Sequence, residues 1–384
     1  MILYELMDYG LLRVIWWLLL GVLLIGFAIT DGFDMGVATL LPFVGKTDVE
    51  RRVVINTVGP VWEGNQVWLI TGGGAIFAAW PQLYAVSFSG FYLAMFLTLA
   101  ALILRPVGFK YRSKRESQRW RNNWDWALFI GGFVPSLIFG VAVGNVLQGV
   151  PFRFDNDLRM AYEGNLFGLL NPFALLVGLL SVAMLVMHGA AWLGVKAEGA
   201  VAQRSRRIGG YAALAVIVMF ALSGLILWAL LPGYAITSPI DPHQASNPLT
   251  KQVTRQMGAW FVNYQIHPWL LIAPALGFLG AAGAWLGFRG KASGRTFLSS
   301  AAAVFGIVAT VGVSMFPFIL PSSVDPQSSL TVWDSSSSHA TLFNMLVAAV
   351  ILVPIILVYT SWVYRVLWGP VTEKSITDGD THAY

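Results

Sequence analysis

Apolar runs of about 18 residues or more recur from one end of this chain to the other, and they limit it more than any motif does. In hydrocarbon every backbone N–H and C=O must be paired internally, which leaves only helices and closed barrels as spanning structures. Continuous runs of this length do not alternate as barrel strands would, so the reading is an all-α integral membrane protein. The balance of residues agrees: 57% of the 384 are hydrophobic and 11% charged, against about 25% charged in soluble domains. Cysteine is absent, which excludes disulfides, thiolate-bound haem and cysteine-ligated iron–sulfur clusters on this chain. A net charge of +5 reflects loop orientation in such a protein, and no nucleic-acid partner is read from it.

Periodicity and flanking residues place nine transmembrane helices in one transmembrane domain, residues 1–384: about 14–43, 61–80, 86–105, 124–146, 167–193, 208–231, 269–288, 297–320 and 341–364. The N-terminal segment shows no small-residue cleavage site, so the first span is expected to be retained. Lys and Arg distribute unequally between alternate sides, with 19 on one and five (Arg13, Arg153, Arg159, Lys251, Arg255) on the other. The positive-inside rule then puts the N-terminus in the periplasm and the C-terminus in the cytoplasm. Ser and Thr of the polar loop at 321–340 suit a cap for the ninth helix, and the tail after Trp368 reads as a short mobile end.

Carboxylates inside these spans demand an explanation, because a charge at mid-bilayer costs about 2.5–3.5 kcal/mol on insertion scales. Asp31 and Asp34 are three residues apart, on one helix face. They lie about 25–30 Å along the first span, in its cytoplasmic half. Glu63 opens the second span, Asp125 opens the fourth, and Arg105 closes the third before Pro106. Packing of the early helices would gather these groups at one depth. Asp34, Arg105 and Asp125 are assigned to structural ion pairing, with Lys110 as a further available cation. Glu63 has no cation within a turn of its own helix, and Trp62, Asn65 and Gln66 surround it; with Asp31 these residues form the candidate proton path. His188, alone within an apolar span, reads as a hydrogen-bonded core residue, and His243, His267, His339 and His382 are scattered without ligand spacing. Gly72-Gly-Gly74 lacks the Lys and Ser or Thr of a phosphate loop and reads as a close-packing or kink site.

Several long strings also carry a resemblance: Arg13-Val-Ile-Trp-Trp17, Thr30-Asp-Gly-Phe-Asp-Met-Gly36, Trp62-Glu-Gly-Asn-Gln-Val-Trp68, Arg105-Pro106, Gly144-Asn-Val-Leu-Gln-Gly-Val-Pro151, Met315-Phe-Pro-Phe318 and Leu330-Thr-Val-Trp-Asp334. Together they resemble subunit II of the cytochrome bd-type quinol oxidases of bacteria. The resemblance implies a multi-pass chain of the bacterial inner membrane, in a complex that oxidises quinol, reduces oxygen to water and generates proton-motive force. It implies that haem b and haem d sit on the partner, subunit I, that this chain carries no catalytic or metal-ligating residue, and that a ubiquinone and a small single-helix subunit are candidate companions. It also marks the acid after tryptophan, here Glu63, as a proton-entry residue, although many relatives carry Asp there. Two other readings stay open: a proton-coupled secondary transporter, for which no inverted repeat is visible, and an oxidase subunit with a purely structural role.

Overall fold

The computed structural model describes residues 3–290 and 292–377; Lys291 and His382, counted above, lie outside them. Among these residues the helices are α1 (Tyr9–Val44), α2 (Asp48–Val58), α3 (Trp62–Ala79), α4 (Pro81–Gly90), α5 (Tyr92–Tyr111), α6 (Gln118–Gln148), α7 (Pro172–Lys196), α8 (Gly199–Ala229), α9 (Val262–Ile266), α10 (Ile272–Arg289), α11 (Gly294–Met315), α12 (His339–Val366) and α13 (Glu373–Thr377). Eight of them, α1, α5, α6, α7, α8, α10, α11 and α12, are long and apolar enough to cross a membrane. Helix α3 is 18 residues long, but its polar first turn, Glu63-Gly-Asn-Gln66, keeps it outside that group.

Helix α1 is the hub. Its 36 residues make it about 54 Å long at 1.5 Å per residue, and Asp8 starts it by accepting a hydrogen bond from the Leu11 amide at 2.7 Å. It packs against α3, α6, α7, α11 and α12. Helices α7, α8, α10 and α11 close on one another in a four-membered ring, and α6 joins that ring to α5. Helix α12 lies outermost, against α1 and α3, with only 6% of its apolar window buried. The seam between α1 and α7 is backbone against backbone: a side chain at Gly36 would strike the Leu185 carbonyl and Gly189, and one at Gly189 would strike Gly36. Small residues that let backbones touch are the usual adhesive between helices in lipid.

Three two-stranded antiparallel sheets cap one end, formed by β1 (Phe152–Phe154) with β2 (Met160–Tyr162), β3 (Pro232–Ile236) with β4 (Val253–Met257), and β5 (Phe318–Leu320) with β6 (Leu330–Thr331). They interlock. Ser322 donates to the Phe152 carbonyl, Tyr234 donates to the Gln148 carbonyl at 3.1 Å, and buried Lys251 pairs with Asp334 at 2.8 Å. Burial pushes the Tyr234 hydroxyl up to about 12, so it stays a donor. Arg13 is fully buried beneath this cap and donates to Ser336, the Pro242 carbonyl and the Gln244 carbonyl at 2.8, 2.6 and 2.9 Å.

Several element ends differ from those expected. The eighth span ends at Met315 instead of 320, because the chain turns at Phe316-Pro317 into strand β5. The third runs through Pro106 to Tyr111, since a helix in lipid tolerates proline where its surroundings satisfy the freed carbonyl. Arg105 is therefore interior, not terminal. The sixth span begins at Gly199, nine residues before the expected 208, as a polar extension carrying Arg204, Arg206 and Arg207. Gly72, Gly73 and Gly74 lie inside α3; a side chain at Gly72 would reach only Leu24 at 4.0 Å, and Gly73 and Gly74 have open space around them, so close packing is not their role among the described residues. Past Trp368 the chain folds back, with Val371 bridging Ala197 and α13 packing on α2. Buried Ile376 anchors that return, so the described part of the tail is docked, not mobile. Ser338 does cap α12, accepting from the Thr341 amide at 3.3 Å.

Replacing Gly36 with valine forces α1 and α7 apart and should cost at least the ~1–3 kcal/mol of an overpacked core, whereas Gly224→Ala meets nothing within 4 Å. Thermal unfolding of the detergent-solubilised protein is expected to show a lowered midpoint for Gly36→Val and none for Gly224→Ala. Equal midpoints would remove the close-packed seam.

Candidate functional site

Helix α1 brings Asp31 and Asp34, fully or almost fully buried, against Arg105 of α5. Arg105 grips Asp31 with both terminal nitrogens, Nη1 to Oδ2 at 2.9 Å and Nη2 to Oδ1 at 2.6 Å. This fork-to-fork geometry is the strongest that the two groups can adopt. Asp34 stands 3.9 Å from the same guanidinium and accepts instead from Asn65 Nδ2 at 2.8 Å. Asn65 Oδ1 accepts in turn from Tyr364 of α12 at 2.6 Å. Asp34 Oδ1 and Arg105 Nε have no hydrogen-bond partner among the described residues. The ion pair expected of Asp34 and Arg105 is present at the longer distance of 3.9 Å, and Asp34 also belongs to a hydrogen-bonded chain through Asn65 to Tyr364, while Asp31, placed on the proton path by its sequence, takes the bidentate grip of the same guanidinium. Two carboxylates share one guanidinium, so the cluster holds one excess negative charge unless one carboxyl keeps its proton.

Trp62 is buried, 5% exposed, with its ring 5.9 Å from the Arg105 guanidinium and 5.5 Å from Phe109. It walls the cluster on the α3 side. Glu63, beside it, points the other way and is exposed on the surface of the chain, while Asn65 two residues on is buried. The first turn of α3 therefore has one polar residue outside and one inside.

Asp125 does not join Arg105. It accepts from Arg112 Nε at 2.5 Å and from Arg51 Nη1 at 2.7 Å, and Asp48 ties Arg112 and Arg121 at 3.0 and 2.8 Å. This second cluster lies where α2, α5 and α6 meet, and Lys110 is exposed outside both. Helix α2, absent from the sequence-based scheme, carries two of its five charged residues, Asp48 and Arg51. Its capping box of Thr47 and Glu50 starts the helix, and Glu50 also grips Arg204 at 2.7 Å. That hydrogen bond, aided by the Lys46 and Thr47 amides, holds the Glu50 carboxyl down at about 2. Because the folded value is the lower one, the clasp is intact from neutral pH to below the ordinary carboxylate range and fades only as pH falls towards 2. Arg51, Arg112 and Arg121 had registered only as orientation charges; Asp48 and Glu50 just after a Thr were the signal for a capped helix.

His188 is buried with both ring nitrogens engaged, Nδ1 with Ser300 Oγ at 2.8 Å and Nε2 with the Ile29 carbonyl at 2.9 Å. Among the described residues no group of three His, Cys, Asp or Glu side chains could hold a metal ion. With both ring nitrogens engaged, His188 does not fit as a haem ligand.

The fold and the cluster define a multi-pass membrane protein whose long first helix is pinned by a buried ion pair. Residues 12–367 match the family model described as cytochrome bd terminal oxidase subunit II. The chain is similar to the cytochrome bd-I ubiquinol oxidase subunit 2 of Escherichia coli strain K12, 52% identical over 98% of this chain and 99% of that one. It is 51% identical to the probable cytochrome oxidase subunit 2 of Haemophilus influenzae and 30% identical to the cytochrome bd ubiquinol oxidase subunit 2 of Bacillus subtilis, the latter over 94% of this chain and 98% of its own. A chain of the bd oxidase from Geobacillus thermodenitrificans shares the fold, with a TM-score of 0.65 at 17% identity over 92% of this chain and 98% of that chain. The chain belongs to the cytochrome bd terminal oxidase subunit II family.

Asp31→Asn removes the carboxylate that Arg105 grips with both nitrogens and leaves the guanidinium only Asp34 at 3.9 Å, so it should cost about 3 kcal/mol, the low end of the penalty for breaking a buried pair. Asp34→Asn removes the more distant carboxylate and keeps a side-chain oxygen that can accept from Asn65, a cost of about 1 kcal/mol. Immunoblots of membranes and unfolding in detergent are expected to rank Asp31→Asn well below Asp34→Asn, and the reverse order would refute Asp31 as the main partner of Arg105.

Proposed function

We propose that this chain is the non-haem subunit of a quinol oxidase that reduces oxygen to water and generates proton-motive force, and that it stabilises subunit I and supplies protons from the cytoplasm. It forms a single domain of nine spans, α3 being the ninth, with the N-terminus in the periplasm and the C-terminus in the cytoplasm of a bacterial inner membrane. Lys and Arg concentrate on one side in support of that orientation. Haem b and haem d reside on subunit I, which fits the engaged nitrogens of His188. A ubiquinone on this chain is a structural ligand in this reading, and a small single-helix subunit is an additional partner.

The observation that carries the proton-supply reading is the first turn of α3. Glu63 is exposed on the chain's surface, and Asn65 is buried on Asp34. A proton taken up at Glu63 is held beside Trp62 and passed along the face that α3 presents to subunit I. Asn65 and Asp34 give the inward branch, ending at Tyr364. Asp31, with both oxygens on Arg105, serves structure instead. A purely structural reading of the subunit is favoured by that same bidentate pair, and the experiment separates the two.

Glu63→Gln in the purified two-subunit complex is expected to slow oxygen consumption by about 10²-fold or more, the usual range for a lost proton-transfer group, with haem absorption bands unchanged. Glu63→Asp, which keeps the carboxyl, should be milder. Unchanged turnover in the Gln variant would leave only the structural role, and absence of haem bands from the co-purified complex would overturn the oxidase assignment itself.

A further inference from the structure

Arginines at the end of the bundle that carries α2 fall into two kinds. Around α2 each named cation is neutralised: Arg51 and Arg112 by Asp125, Arg112 and Arg121 by Asp48, and Arg204 by Glu50. A second group, Arg206 and Arg207 of α8, Arg289 of α10 and Arg295 of α11, has no carboxylate within 4.0 Å among the described residues. Packing brings together the helices that carry them, α10 lying against both α8 and α11. Arg206 donates to the Gly290 carbonyl at 2.8 Å, which joins the start of α8 to the end of α10. A side chain at Gly287 of α10 would strike Thr296 of α11, next to Arg295. The Arg289 guanidinium lies 3.9 Å over the Trp285 ring, which orients it.

Each of these helices continues from its arginine into an exposed apolar stripe. On α8, Arg207 is followed by Tyr211, Leu214 and Val218 at i+4, i+7 and i+11, one helix face, and all three are exposed. Leu286 of α10 and Leu298 of α11, each three residues from its arginine, are 60% and 68% exposed. Concentrated uncompensated positive charge above apolar stripes fits a ligand with a negative head and long hydrocarbon chains. A soluble anion would use the arginines alone and leave the stripes unexplained. We propose that this patch is a binding site for an anionic diacyl phospholipid, with the phosphate among Arg207, Arg289 and Arg295 and the acyl chains along the stripes of α8, α10 and α11. Trp285 and Tyr211 sit at the head-group level, where amphipathic rings are favoured.

The test uses the complex purified with its partner, delipidated and titrated with phosphatidylglycerol or phosphatidylcholine, with bound lipid counted by native mass spectrometry. Each cation near a head-group surface contributes roughly fivefold, so R207Q/R289Q/R295Q should weaken phosphatidylglycerol binding by on the order of 100-fold and leave phosphatidylcholine binding unchanged. R207K/R289K/R295K, which keeps the charge, should retain the lipid, and millimolar inorganic phosphate should not displace it. Equal phosphatidylglycerol binding by the wild type and the glutamine variant would overturn the proposal. So would displacement by inorganic phosphate, which makes this a site for free anions, or dissociation of the two subunits in the glutamine variant, which makes it a protein interface. Loss of the lipid from an intact lysine variant would equally exclude charge as the determinant.

Discussion

A guanidinium buried between two carboxylates is the constraint on which this structure turns. Arg105 and Asp31 each have no exposed side-chain surface, so neither could be tolerated without the other in a medium that cannot solvate charge. Their pairing sets the rotation of α5 about its axis and the depth of α1 against it. Once α1 is so placed, Gly36 meets α7, Trp62 closes the α3 side, and Asn65 reaches Asp34. Favourable burial in lipid says little about which helix faces which, because lipid tails are as apolar as leucine. Polar pairs and glycine seams therefore supply the specificity.

The two ends of the bundle are secured by different means. At the capped end Arg13 is held by backbone carbonyls of one loop and a serine of another, and Lys251 and Asp334 neutralise each other. At the other end α2 acts as a clasp, its acids bridging to α5, α6 and α8. Between them Arg105 faces two buried carboxylates, so charge in that cluster is only partly balanced.

Much of this was legible in the residue order, and the limits are physical. Long apolar runs announce helices because lipid permits little else, and the spacing of Asp31 and Asp34 announced a shared cation. The sequence could not say that Arg105 would take Asp31 with both nitrogens and leave Asp34 at 3.9 Å, because the two carboxylates share one helix face and differ by less than a turn. Pro106 misled for the same kind of reason. It reads as a terminator in water, but α5 continues past it among its neighbours, which turned Arg105 from an end residue into a core one. Helix α2 was hidden because its stability comes from a capping box and long-range ion pairs instead of an apolar stripe. Strands β5 and β6 pair across a loop whose serines read only as polar filler until Ser322 and Ser328 are seen buried.

A double-mutant cycle on Asp31 and Arg105, read as unfolding free energy of the detergent-solubilised complex, tests the central claim most directly. For Asp31→Asn, Arg105→Gln and the pair together, the account predicts a coupling of about 3 kcal/mol, the double variant being less damaged than the sum of its parts because each single variant already loses the bidentate pair, while Asp34 lacks the guanidinium equally in Arg105→Gln and in the double variant. Additive losses, with no coupling between the two positions, would contradict it.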